Sequence, residues 1–212
     1  AMPVRFIAHT TTSADGSFAL ERVPLGVFQL AIQKGYFRRV VEVSVPQCDP
    51  VALPKAMTTL PGRNNQYGTW DAVPNIAVVS GVWDRLEKVL DKLGVEQRVM
   101  YDGRNLNTGA PPMSALLENA ALLRSYHLVF INCGTQFESL VSEPGPARNN
   151  LREYVRRGGR LFATDLSYDF IEQTFPEFID FERSDGTPAD QPEKPNAAEV
   201  GSEDPVVLGE VL

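Results

Sequence analysis

Residues 147–170 read ARNNLREYVRRGGRLFATDLSYDF, and their pattern decides the architecture. Leu151, Tyr154 and Val155 recur at helical spacing, Gly158-Gly159 stops that helix, and 160–164 is a short apolar run expected as a buried strand. The strand runs directly into Asp165-Leu166-Ser167. Working outward, the same alternation appears three more times. Ile76-Ala77-Val78-Val79 is a continuous apolar strand, followed by a helix with Val82, Leu86, Val89, Leu90 and Leu93 on one stripe and Gly94 as its stop. Residues 98–101 form a second strand ending at Asp102-Gly103, and 114–125 read as one helix with Leu116, Leu117, Ala120 and Leu123 inward. Leu128-Val129-Phe130-Ile131 is the third strand, closed by Asn132-Cys133-Gly134-Thr135. Four such repeats with unbroken apolar strands predict an α/β domain over 74–212, its parallel, doubly wound sheet covered on both faces.

Sites in sheets of this kind lie beyond the carboxyl ends of the strands. That rule gathers Ser80, Asp102, Asn132, Cys133, Gly134, Asp165, Ser167 and Asp169 as a candidate pocket, with Gly81, Asp84 and Thr135 beside them. Asp165 is expected first as a helix N-cap, since aspartate accepts a backbone N–H there and 166–172 looks helical. Asp165 and Asp169 are also weak candidates for a calcium or magnesium ion, which takes several oxygen ligands. Asp165-x-Ser167-x-Asp169 faintly resembles the metal-dependent adhesion motif of von Willebrand A domains. Cys133 is expected as a small buried residue before a reactive thiol. No cofactor is expected.

The order of strand, Asn132-Cys133-Gly134, helix closed by Gly158-Gly159, strand and sharp turn resembles the class I glutamine amidotransferase-like superfold over about 74–175. The resemblance implies a flavodoxin-like sheet and a Gly-x-Cys-x-Gly elbow carrying a cysteine nucleophile. The aligned residues here are Ala163-Thr164-Asp165-Leu166-Ser167, so both glycines and the cysteine are replaced. The family's base histidine lies downstream of the elbow, whereas His9 and His127 both lie upstream. A Cys-His pair needs both groups within hydrogen-bond reach. The expectation is therefore a degenerate, non-catalytic domain.

The front of the chain reads differently. Turn signals recur about every ten residues, at Asp15-Gly16, Pro24-Leu25-Gly26 and Gly35, between short alternating strands at 4–8, 17–20 and 27–32, which predicts a small all-β sandwich. Phe18, Leu20, Phe28, Leu30 and Ile32 fall on its inner face. The runs 12–20, 23–30 and Lys34-Gly35-Tyr36 resemble the carboxypeptidase regulatory-like domain, a transthyretin-like sandwich, here partial and covering 1–47. That resemblance implies a non-catalytic accessory module in a periplasmic, cell-surface or secreted protein. Residues 48–73, rich in Pro, Gly and Asn, read as a linker with one extended piece at 51–53, and Tyr67 and Trp70 are expected to anchor it to the next domain, an exposed aromatic patch being the alternative.

Composition bounds the partners. The 212 residues, 43% hydrophobic, carry 20 Lys and Arg against 27 Asp and Glu, a net charge of -7 that argues against a nucleic-acid surface. Arg38-Arg39 and Arg156-Arg157 are expected as solvated edges, and no apolar run spans a bilayer. Cys48 and Cys133 fall in different units, which makes neither a disulfide framework nor a zinc site. Beyond Pro176 a long polar loop is expected, then a strand start at Val206-Val207-Leu208 in a domain that is C-terminally incomplete. The function expected is an extracytoplasmic scaffold binding a protein, small molecule or glycan. The alternatives are a hydrolase or metal-dependent enzyme with an acidic site around Asp165, and a metal-dependent adhesion module.

Overall fold

The computed structural model describes residues 7–179 except 107, 136 and 143. The expected strand residues 4–6 and everything expected beyond 179 lie outside the described residues. The chain divides into two units, Ala1–Val73 and Pro74–Leu212.

The first unit is built on an antiparallel hairpin, β1 (Gly26–Lys34) and β2 (Phe37–Val45). Phe28, Leu30 and Ile32 are half-buried and Gln29 and Ala31 exposed, following the period of two. Residues 17–20 are not a strand. Gly16 N–H donates to Ser13 O and Ser13 N–H to Ser17 O, and the Asp15 carboxylate accepts from both Ser17 N–H and Ser17 Oγ, so this stretch closes a tight turn.

The stretch after the hairpin departs from a simple linker. No strand forms at 51–53. A one-turn helix, α1 (Lys55–Thr58), follows instead, and Arg38 and Ala72 exchange both backbone hydrogen bonds. Arg39 is buried, not a solvated edge. Its Nη1 donates to Ala56 O and Thr59 O, both at 2.7 Å, and its guanidinium lies 3.9 Å from the centre of the Tyr67 ring. One side chain from β2 thus satisfies carbonyls of α1 and packs on an aromatic ring 28 positions away in sequence.

The second unit carries a four-stranded parallel sheet in the order β4-β3-β5-β6, formed by β3 (Ile76–Val79), β4 (Val99–Tyr101), β5 (Leu128–Ile131) and β6 (Arg160–Ala163). Ala77, Val79, Val129 and Ile131 share one face and are fully buried in a core with Met113, Leu116, Leu117, Leu151, Tyr154 and Phe170. On the other face burial falls away along the register: Val78 is buried, Phe130 half-buried, and Phe162 53% exposed, its ring 5.8 Å from that of Phe130. Among the described residues, the strand expected to be buried on both faces lies at the edge of the sheet and is only half-covered.

Two helices differ from their expected extents for identifiable reasons. The helix expected from Val82 is α2 (Leu86–Lys92), because Val82 N–H and Trp83 N–H donate to Gly134 O and Cys133 O instead of opening a helix. Its stripe is only partly used: Leu90 is buried, while Val89 and Leu93 are exposed. The helix expected over 114–125 is two, α3 (Met113–Leu117) and α4 (Ala120–Leu123), divided at Asn119, whose Oδ1 accepts from Ala121 N–H and Leu122 N–H as the N-cap of α4.

A further turn, α5 (Ser139–Ser142), precedes α6 (Pro146–Arg156), the helix anticipated from Leu151, Tyr154 and Val155. It ends as its glycines require. Gly158, at φ 92°, donates to Val155 O and Gly159 to Tyr154 O, which satisfies two end carbonyls in a Schellman arrangement. A side chain at Gly159 would stand 2.3 Å from the Tyr154 ring.

Two predictions follow from these contacts. Arg39→Ala removes charged hydrogen bonds and a ring contact at once, and is expected to destabilise the first unit by about 2–3 kcal/mol. Urea unfolding of the whole chain followed at the indoles checks this, and an unchanged transition would show that Arg39 holds nothing. On α6, hydrogen bonds from Arg156 and then Arg157 hold the Glu153 carboxyl at about 2, below its ordinary value of 4.5. A depressed folded value means the stabilisation is complete above 4.5 and is lost as pH falls through about 2. The melting temperature of Glu153→Gln should fall less steeply than wild type across that window, and superimposed curves would refute the assignment.

Candidate functional site

The loops at the carboxyl ends of the strands converge on Asn132 and Cys133, immediately after β5. Asn132 is fully buried. Its Oδ1 accepts from Leu86 N–H at 3.3 Å, its Nδ2 donates to Glu87 Oε2 at 3.1 Å, and its carbonyl accepts from Ser167 Oγ at 2.8 Å. It therefore ties the start of α2 and the turn after β6 to the end of β5. Gly81 lets the chain pass in contact with this point, since a Cβ there would lie 2.1 Å from Cys133 O. Gly134, at φ 78°, is covered by Trp83, whose Cδ1 would be 2.7 Å from an added Cβ. The Trp83 side chain itself is 72% exposed.

Cys133 is buried, with acceptors around its backbone N–H: Thr164 Oγ1 at 2.9 Å and Asp84 Oδ2 at 3.4 Å. Its Sγ donates to Asp165 Oδ2 at 3.5 Å. The group that Sγ meets here is thus a carboxylate, whereas thiolate chemistry relies on a positive partner or a base. His127 is at the other end of β5. Its Nδ1 accepts from Asn75 N–H at 2.9 Å, which ties the amino ends of two strands together.

Asp165 is exposed and adopts φ 42°. The backbone there turns from β6 into a 3₁₀ turn (Asp165–Ser167) and then α7 (Asp169–Glu172). The expected helix cap is not made: Thr164 is the N-cap of the turn and Tyr168 that of α7, and neither end has a side-chain cap bond. A carboxylate this close to a neighbouring loop turns to Cys133 rather than back to its own helix.

The remaining expected residues separate. Ser80 Oγ accepts from Gly103 N–H at 3.1 Å, joining the loops after β3 and β4. Asp102 is buried and its carboxylate accepts from Arg104 N–H and Leu106 N–H, so it organises its own loop and not a shared site. Ser167 is buried beneath Asn132 O, and Asp169 is buried in α7 while Asp165 faces solvent. Among the described residues no group of three or more His, Cys, Asp or Glu side chains is placed to hold a metal ion. The residues brought together are Asp84, Asn132, Cys133, Gly134, Thr164 and Asp165, with Trp83 at the rim. Thr164, Glu87 and Trp83 were not singled out from the sequence. Thr164 had a signal in its place beside Asp165, and Trp83 in its place after Gly81.

No protein-family model, curated protein or solved structure matches this chain.

The left-handed backbone at Asp165 gives a stability prediction. Asp165→Ala keeps a Cβ at positive φ and loses the carboxylate that Cys133 meets, and is expected to lower stability by about 0.5–1 kcal/mol, while Asp165→Gly loses the same carboxylate but relieves the strain and should stand at or above wild type. Paired thermal melts separate the two, and a loss with glycine as large as with alanine would show that the carboxylate itself supports the fold.

Proposed function

We propose that the chain is a non-catalytic, extracytoplasmic binding scaffold, in which a partial carboxypeptidase regulatory-like, transthyretin-like sandwich precedes a degenerate class I glutamine amidotransferase-like domain. The sheet order β4-β3-β5-β6, which moves outward from the first strand of the unit in both directions, supports a doubly wound, flavodoxin-like reading of the second unit. The observation that carries the proposal is Asp165. It adopts a left-handed backbone directly after β6, where a nucleophile elbow bends, yet presents a carboxylate, and the nearest thiol is buried and faces that carboxylate. What remains is a hydrogen-bonded loop cluster with an exposed tryptophan at its edge, suited to binding a protein, small molecule or glycan. No helix among the described residues is long and apolar enough to cross a membrane.

The left-handed conformation of Asp165 also favours a second reading, since strained backbone concentrates at functional sites. In that reading the carboxylate serves a hydrolase, or helps hold calcium or magnesium in an enzyme or adhesion module.

One experiment on the intact chain addresses both. Thiol titration of the folded protein should modify the exposed Cys48 and spare the buried Cys133 until unfolding. The melting temperature should be the same with calcium, magnesium or chelator. A Cys133 that reacts faster than Cys48 would sink the non-catalytic reading. An ion-dependent shift in wild type, absent from Asp165→Ala, would establish the second.

A further inference from the structure

The loop over 61–73, expected as a passive linker, is a compact structure closed by its own side chains. Gly62 N–H donates to Gln66 Oε1 at 2.6 Å and Val73 N–H to Asn64 Oδ1 at 2.7 Å. Asp71 Oδ2 accepts from Tyr67 N–H at 2.6 Å and Gly68 N–H at 3.0 Å, while Asp71 O accepts from Asn65 N–H at 3.2 Å. Two large aromatic side chains project from this frame: Trp70 is 70% exposed and Tyr67 52% exposed. The Arg39 guanidinium packs on the Tyr67 ring from the protein side, which fixes that ring. Rigid aromatics offer a large contact area with little entropy left to lose on binding.

Past the exposed Asp49, the stretch that carries the aromatics has only basic side chains among its exposed charges. Residues 50–73 contain Lys55, Arg63 and a single acid, Asp71, which is only 4% exposed because its carboxylate turns inward to the loop amides. Arg38, exposed on β2, stands opposite Ala72, two residues from Trp70. In the first unit as a whole, seven Lys and Arg face five Asp and Glu, a net charge of +2, whereas the whole chain carries -7. An anionic ligand that offers flat C–H faces for stacking matches this surface.

We propose that the 61–73 loop of the first unit binds a carboxylated polysaccharide, with Trp70 as the stacking platform, Tyr67 as a second aromatic contact and Arg38 as the partner of a uronate carboxylate. The proposal rests on the first unit alone and is independent of Asp165 and its surroundings.

The test uses the full chain carrying Trp83→Phe, so that Trp70 is the single indole, titrated with polygalacturonate or alginate while its fluorescence and the heat of binding are followed. Saturable binding is expected, with no binding of neutral dextran. In the chain that keeps Trp83, Trp70→Ala should weaken the calorimetric affinity by roughly tenfold or more, and Arg38→Gln by roughly threefold. Trp70 is exposed, so the variant should retain the wild-type melting temperature and its loss of binding reads on the ligand. Failure of both uronate polymers to bind, equal affinity in Trp70→Ala, or a preference for anionic lipid vesicles or single-stranded DNA over the polysaccharides would overturn the proposal.

Discussion

The second unit depends on one buried amide. Asn132 ends the central pair of strands with no solvent to satisfy it, so every polar atom it carries must be met from within. Those atoms reach α2 through Leu86 N–H and Glu87, and reach the turn after β6 through Ser167. Loss of this side chain would strand the Leu86 N–H and the Glu87 carboxylate at the start of α2. The close approach of Gly81 to Cys133 O follows from the same geometry, because the loop after β3 must come near enough for α2 to start against Asn132. The carboxyl edge of the sheet is consequently filled with backbone, and its exposed groups, Trp83 and Asp165, stand at the surface of a packed cluster.

The first unit solves a different problem. A two-stranded hairpin has little apolar area of its own and is marginal in isolation. Here a buried arginine, held by two carbonyls and a tyrosine ring, recruits the following stretch against the hairpin. The residues 61–73 then close on themselves through Asn64, Gln66 and Asp71, each accepting from a loop amide. Polar side chains do in this unit much of what apolar burial does in the other.

This contrast explains what was legible in the sequence. The strands of the second unit and its helix stops announced themselves, because continuous apolar runs and Gly94 and Gly158 act locally: both glycines take the positive φ that a helix terminus asks of them. The start of α2 was not legible, since Val82 and Trp83 give their N–H groups to the loop at Cys133 and Gly134, far along the chain. Asn119 looked like one more helical position until its carboxamide turned out to cap α4. Among the candidate site residues, Asn132, Cys133, Gly134 and Asp165 do meet, as the strand-end rule requires. Ser167 joins them only from below. Asp102 and Asp169 lie where the rule put them, but one serves its own loop and the other is buried, and neither fate can be read from residue type. The partial exposure of β6 was hidden for a related reason: Leu161, Phe162 and Ala163 are equally apolar, and only the sheet order shows which of them has a neighbour.

That edge position bears on how the chain behaves in a crowd. Among the described residues β6 pairs with β5 alone, next to an exposed phenylalanine. Such edges seed aggregation when they are long, flat and uncharged. β6 is four residues long and opens with the exposed cation Arg160. Shortness and that charge act as gatekeepers, so the segment that holds Asp165 in place is also guarded against self-association by the residue at its opposite end.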